Sequence, residues 1–167
     1  MVKRTHHQSP PTSSGLSRIL IKNTAPFLKN WPKNNVEDEI VYLTLEQVIL
    51  IHEDQIERYG GSHGLRDVAL LESAIFRPQT TFGGVNLYKS IFDKTGAMVQ
   101  SILLNHPFVD GNKRTAIASA LVFLALNDYS FNVLQKELSI ASLNMVNKKW
   151  SVNKISRWLK QKAKKTG

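Results

Sequence analysis

Residues 103–127 read LLNHPFVDGNKRTAIASALVFLALN. The stretch opens with an apolar turn and closes with a long apolar helix. Between them lie His106, Asp110, Asn112, Lys113 and Arg114, five polar residues within nine positions. Asp110-Gly111-Asn112 is a turn signal. It leads directly into a helix expected over Asn112 to Leu126, in which Ile117, Ala120, Leu121 and Leu124 recur at helical spacing. The turn is therefore held at the N-terminus of a core helix, where backbone N–H groups are free and the helix dipole is positive. Such an end is a ready anion site, most often for phosphate. Lys113 and Arg114 fall in the first turn, where cations are unfavourable by about 0.3–1 kcal/mol. Cations at that end make sense when an anion is to be bound.

Asp110 stands beside this anion site. A carboxylate next to phosphates recruits Mg²⁺, which keeps several waters and takes one or two protein oxygens. His106 has the side chain whose free pKa suits proton transfer near neutrality. Together these are a base, a metal carboxylate, an anion cradle and a cationic clamp, the parts of nucleotide-dependent transfer. Each part alone also has a plain structural reading. A histidine after a helix is commonly a cap, Asp-Gly-Asn a turn, and Lys-Arg a solvated pair. Phe108 reads as a core anchor in either case.

The rest of the chain bounds these readings. Its 167 residues suit one domain, and 42% hydrophobic content supports a core. No apolar run approaches the length of a membrane-spanning helix. The absence of cysteine excludes disulfides, zinc-thiolate sites and thiol nucleophiles. That absence, with no apolar secretory stretch at the start, leads to a cytoplasmic expectation. The net charge of +9 is unevenly placed. Residues 1–39 carry six Lys/Arg and three Asp/Glu, residues 40–144 eight and ten, and residues 145–167 eight and none. The basic ends suit a phosphate backbone or an acidic partner, or simply solvent.

The organisation follows from patterning. Residues 1–39 are expected to form a flexible basic tail, with one short amphipathic turn near LSRILIKN. Residues 40–167 form the body, with a basic C-terminal helix. IVYL, residues 40–43, is strand-like. Thr44, with Gln47 as capping-box partner, starts a first helix that Gly60-Gly61 stop. Asp67 caps a second, ended before Pro78. QTTFGGVN, residues 79–86, is a candidate hairpin. Further helices are expected over Leu87–Leu104, over the opening stretch, over LQKELSIASLN, and after Ser151, with Val152, Ile155, Trp158 and Leu159 on one face. The fold class is all-α with one hairpin flap.

HPFVDGNKR, residues 106–114, resembles the signature H-x-F-x-D/E-G/A-N-x-R of the Fic/Doc (Fido) family at every fixed position. The upstream run GLRDVALLESAIFRPQTTFGG, residues 64–84, is similar to that of death-on-curing (Doc) proteins. The likeness covers roughly residues 40–130. It implies a compact helical bundle with a flap. His106 would take the proton from a target-protein hydroxyl, Phe108 would anchor the loop, and Asp110 would hold Mg²⁺. Gly111, Asn112 and Lys113 would line the anion hole, and Arg114 would bind a phosphate of ATP. The flap, with Thr80, Thr81 and Phe82, would align the target by main-chain pairing.

The departures matter. AMP-transferring Fic proteins usually have glycine at the position of Lys113 and a second arginine at that of Ile117. Lysine is the Doc-like pattern, which implies phosphate transfer from ATP to a Ser/Thr hydroxyl, with the translation machinery the expected target. Gly111, against the alanine usual in Doc itself, leans toward Fic and AMP transfer. A third reading is a catalytically inactive module whose basic ends bind nucleic acid. The inhibitory S/T-x-x-x-E-G/N run of many Fic proteins does not occur in these residues. The family logic then implies inhibition in trans by an antitoxin.

Overall fold

The structure, a computed structural model, describes residues 39–166. The tail expected over residues 1–39, with its amphipathic turn, lies outside the described residues apart from Glu39. Helix α1 runs over Leu45–Tyr59 and begins in the expected capping box. The Thr44 amide donates to Gln47 Oε1 at 2.7 Å and the Gln47 amide to Thr44 Oγ1 at 3.3 Å. Helix α2, Val68–Phe76, is capped by Asp67, whose carboxylate accepts from the Leu70 amide at 3.0 Å. A 3₁₀ turn over Arg77–Gln79 follows, with Pro78 inside it. Strands β1 (Thr81–Phe82) and β2 (Val85–Asn86) then form the expected antiparallel hairpin across Gly83-Gly84.

Helix α3, Ile91–Asn105, starts later than the expected Leu87. Leu87 is held by the flap, its amide donating to the Thr80 carbonyl at 2.9 Å. The start falls instead to Ser90, in a second capping box with Asp93. Helix α4 spans Asn112–Leu126, as its periodicity indicates. Helix α5 spans Gln135–Asn147, longer than expected, and α6 spans Val152–Lys162 after the Ser151 cap.

Two expectations are corrected. IVYL is no strand: residues 40–43 have no regular secondary structure and pair with no strand among the described residues. The side-chain amide of Asn127 takes the place of a partner. It accepts from the Val41 amide at 2.9 Å and donates to the Val41 carbonyl at 3.0 Å. Second, the flap is not the sole strand pair. Strand β3, Tyr129–Phe131, pairs antiparallel with β4, Ala163–Lys165.

The core lies between α3 and α4, which run nose to tail around the loop 106–111. Val99, Ile102, Leu103, Ala116, Ala120 and Leu124 are buried there. Helix α6 crosses α3 closely at Gly96, where an added Cβ would lie 3.1 Å from the Val152 carbonyl. The buried face of α6 is Ile155, Ser156 and Leu159, with Trp158 half-buried, close to the expected stripe. Thus the turn between α3 and α4 is fixed from both sides by packed helices.

Candidate active site

The site is built on the turn between α3 and α4. His106 is the C-cap of α3, with φ 48° in the left-handed region. Left-handed backbone is unusual for a non-glycine residue and turns the chain sharply out of the helix. His106 is exposed, while Phe108, two residues on, is 1% exposed. Phe108 stacks on His52 of α1, with ring centroids 4.0 Å apart and an 11° interplanar angle. His52 is itself buried and has its Nδ1 3.2 Å from Thr115 Oγ1. Burial pushes the His52 imidazole pKa below its usual value.

Asn112 closes the loop on itself. Its Oδ1 accepts from the Phe108 amide at 3.0 Å, and its Nδ2 donates to the Phe108 carbonyl at 2.9 Å. This pair satisfies both polar groups of a buried backbone unit and fixes residues 108–112 as one ring. Gly111 is the N-cap of α4, with φ 74° and no side-chain cap. A Cβ there would lie 3.0 Å from Ile56 Cδ1 and 3.4 Å from His52 Cε1. Glycine is needed for both conformation and space. With no capping side chain and no acid in its first turn, α4 leaves its N-terminal amides free for a ligand.

Asp110 is held from two sides. The Gly111 amide donates to its Oδ1 at 2.5 Å and the Ser62 amide to its Oδ2 at 3.3 Å. These bonds, the Gly111 one foremost, hold its pKa below the usual carboxylate range. Asp110 is therefore ionised at neutral pH. Arg114 Nη2 lies 3.9 Å from Asp110 Oδ2, and its Nη1 donates to the Gly60 carbonyl at 2.7 Å and the Gln55 carbonyl at 3.3 Å. Those carbonyls belong to the C-terminal end of α1, which is electronegative. Lys113 is exposed.

One hollow of about 210 Å³ is lined by His106, Val109, Asp110, Gly111, Asn112, Lys113 and Arg114. So the structure gathers all the site residues expected from the motif except Phe108, which is the floor beneath them. Thr80, Thr81 and Phe82 are elsewhere, in and beside the exposed hairpin, and do not line this hollow. A larger hollow of about 460 Å³ adjoins on the far side of Lys113 and Arg114. It runs between α1, α4 and α5, with Tyr59, Ile117, Leu138 and Leu143 among its walls.

Four contributors were not legible from the motif. His52 supports Phe108, Gly61 and Ser62 abut Asp110, and Gly64 accepts from the Val109 amide at 3.0 Å. Leu65 and Phe108 form an isolated antiparallel bridge, so the segment 60–67 runs beside the motif loop. The signal available was the glycine density of GGSHG, residues 60–64. Clustered glycines mark close backbone approach as well as a helix stop.

A profile of the Fic/DOC family matches residues 42–124. The protein kinase doc of Escherichia phage P1 is 34% identical over 86 residues, covering 52% of this chain and 68% of that protein. This chain belongs to the Fic/DOC family. The toxin Doc of Mycolicibacterium smegmatis is 49% identical over 69 residues, 41% of this chain and 53% of that protein. The match thus spans about half the length of the mycobacterial relative. The family match covers α1 to α4 and so includes the hairpin and every site residue of the motif. Its all-helical architecture with a small hairpin is the one observed. Among the described residues, no helix is long and apolar enough to cross a membrane.

Proposed function

We propose that this chain is a Doc-like toxin that transfers the γ-phosphate of ATP to a Ser or Thr hydroxyl of a target protein. The observation that carries the reading is the single hollow in which His106, Asp110 and Arg114 meet the uncapped N-terminus of α4. His106 takes the hydroxyl proton as the target oxygen attacks the γ-phosphorus. The bond from that phosphorus to the bridging oxygen breaks, and ADP leaves with its electron pair. The amides of α4, with Lys113 and Arg114, stabilise the charge that spreads over the phosphoryl oxygens.

Asp110 is the residue fitted to a share of Mg²⁺. It is ionised, half exposed and beside the anion cradle. No cluster of three metal-ligating side chains exists among the described residues. A metal held mainly by phosphates and water, with one carboxylate, suits that donor set. When bound, Mg²⁺ would neutralise phosphate charge.

The choice of phosphate over AMP rests on Lys113 and Ile117. AMP-transferring Fic proteins usually have an arginine where Ile117 stands. Here that side chain is a wall of the larger hollow, which is apolar and of nucleoside size. A base seated there directs the outer phosphate past Lys113 and Arg114 toward His106. AMP transfer is the competing reading, favoured by Gly111 where Doc has alanine. The toxin name of the mycobacterial relative supports a further part of the proposal, inhibition by an antitoxin in trans. The target within the translation machinery and a cytoplasmic setting belong to the same proposal.

The test is label transfer. The chain is incubated with Mg²⁺, a bacterial lysate and ATP labelled at the γ or the α position. Transfer from γ-labelled ATP, lost in His106→Ala, is expected. Transfer only from α-labelled ATP would sink the kinase reading, and undiminished transfer by His106→Ala would remove the assigned base.

A further inference from the structure

Lys94 is a charged residue with no part in the chemistry above, yet it is 2% exposed in the first turn of α3. It is the one lysine or arginine among the buried residues described. Its ammonium has no carboxylate partner among the described residues. Burying an unpaired ammonium is unfavourable, and a methionine would fill the same space without that penalty. The contacts of its ammonium show what the charge holds. Lys94 Nζ donates to the Pro78 carbonyl at 3.0 Å and lies 3.5 Å from Asn86 Oδ1. It also lies 5.5 Å over the Tyr42 ring. Pro78 is in the turn that enters β1, and Asn86 is the last residue of β2. One ammonium therefore meets both legs of the hairpin.

Arg77 repeats the pattern. Its Nε donates to Tyr88 Oη at 2.8 Å, two residues beyond β2. Its Nη1 donates to Ser101 Oγ at 2.8 Å and Gln100 Oε1 at 3.1 Å, both on α3. The hairpin between these anchors has two residues per strand, and all four are exposed. Phe82 is 84% exposed. A lone two-stranded ribbon of that size does not hold its own orientation in water. Helix α3 carries Lys94 and the side chains that Arg77 grips, and its C-cap is His106.

We propose that Lys94 and Arg77 are positioning residues that fasten the flap to the helix bearing His106. They set the offset at which an aligned target segment presents its hydroxyl to the base. This rests on the reading of the flap as a target-binding edge.

The test uses Lys94→Met and Tyr88→Phe in the full chain. Tyr88→Phe removes only the hydroxyl that Arg77 grips, so a result survives even if Lys94→Met fails to fold. The Leu87 amide, bonded to Thr80, is expected to exchange with deuterium about tenfold faster in either variant. Melting temperature should stay near that of the unmodified chain for Tyr88→Phe. The lysate concentration giving half-maximal γ-label transfer should rise about fivefold, with the KM for ATP within about twofold. A purely structural role would move melting temperature and both saturation constants together. Unchanged exchange at Leu87 in every folded variant overturns the inference, even if transfer by the unmodified chain is intact. No transfer by the unmodified chain overturns the proposed function and the flap's part in it, while exchange still decides whether the anchors hold the hairpin.

Discussion

Asn112→Asp is the sharpest probe of the loop. The carboxylate keeps an acceptor for the Phe108 amide, now at 3.0 Å, but loses the donor that meets the Phe108 carbonyl at 2.9 Å. A buried carbonyl is orphaned, at about 1–3 kcal/mol, and a second oxygen faces it. A total near 3 kcal/mol is a reasonable magnitude for a residue that is 8% exposed. For a body of this size that corresponds to a melting temperature lower by about 10 °C. Protonation restores a donor. Burial beside a carbonyl raises the folded-state pKa of the new carboxyl above its unfolded value near 3.9. The protonated folded form is then intact at low pH, and stability is lost as pH rises through that raised value. The melting gap between variant and unmodified chain, followed by circular dichroism, should therefore narrow from about pH 8 to about pH 5. A variant melting within about 2 °C of the unmodified chain at pH 8 would refute the closed-ring account of residues 108–112.

Other perturbations address separate parts. His52 has a lowered pKa from burial, so the folded chain keeps it neutral while the unfolded chain takes a proton below about 6.5. Its contribution is present above that value and lost as pH falls, so His52→Gln should flatten the melting profile between about pH 7.5 and about pH 5.5. An equally steep profile in the variant would assign the dependence elsewhere. At Gly61 an added Cβ would lie 2.4 Å from Asp110 Oδ2 and 3.0 Å from Arg114 Nη2. Gly61→Ala should therefore cut label transfer about a hundredfold, out of proportion to any change in melting. The double change Lys113→Gly with Ile117→Arg should raise α-label transfer relative to γ-label transfer. An unaltered ratio would detach those two positions from the choice of phosphate.

Much of this architecture was legible locally. Thr44 with Gln47, Asp67 and Ser151 each mark a helix start through their own side chains, and the structure uses all three. The apolar period of α4 and the turn before it placed that helix start at Asn112. What failed depended on distant partners. Val41 looks like a strand residue, but its partner is the side chain of Asn127, 86 positions away. Strand β4 is Ala163, Lys164 and Lys165, with little strand propensity, and pairs because β3 is waiting beside it. Leu87 fits a helix by type, but its amide is bonded across the hairpin, so α3 starts only at Ile91. In the sequence, His52 is one position at helical spacing with Val48, Ile49 and Ile56. Its stacking under Phe108 is a tertiary fact.

The bonds that hold Asp110 and Arg114 have a consequence for when the site comes into being. Ser62 reaches Asp110 across 48 positions, Gly60 reaches Arg114 across 54, and His52 reaches Thr115 across 63. Closing such loops precedes any gain from the contacts they make. The peptide 103–127 alone contains every motif residue and none of this support. A nascent chain therefore has no early form of the site. Competence requires the docking of α1 against α4 as well as the motif itself.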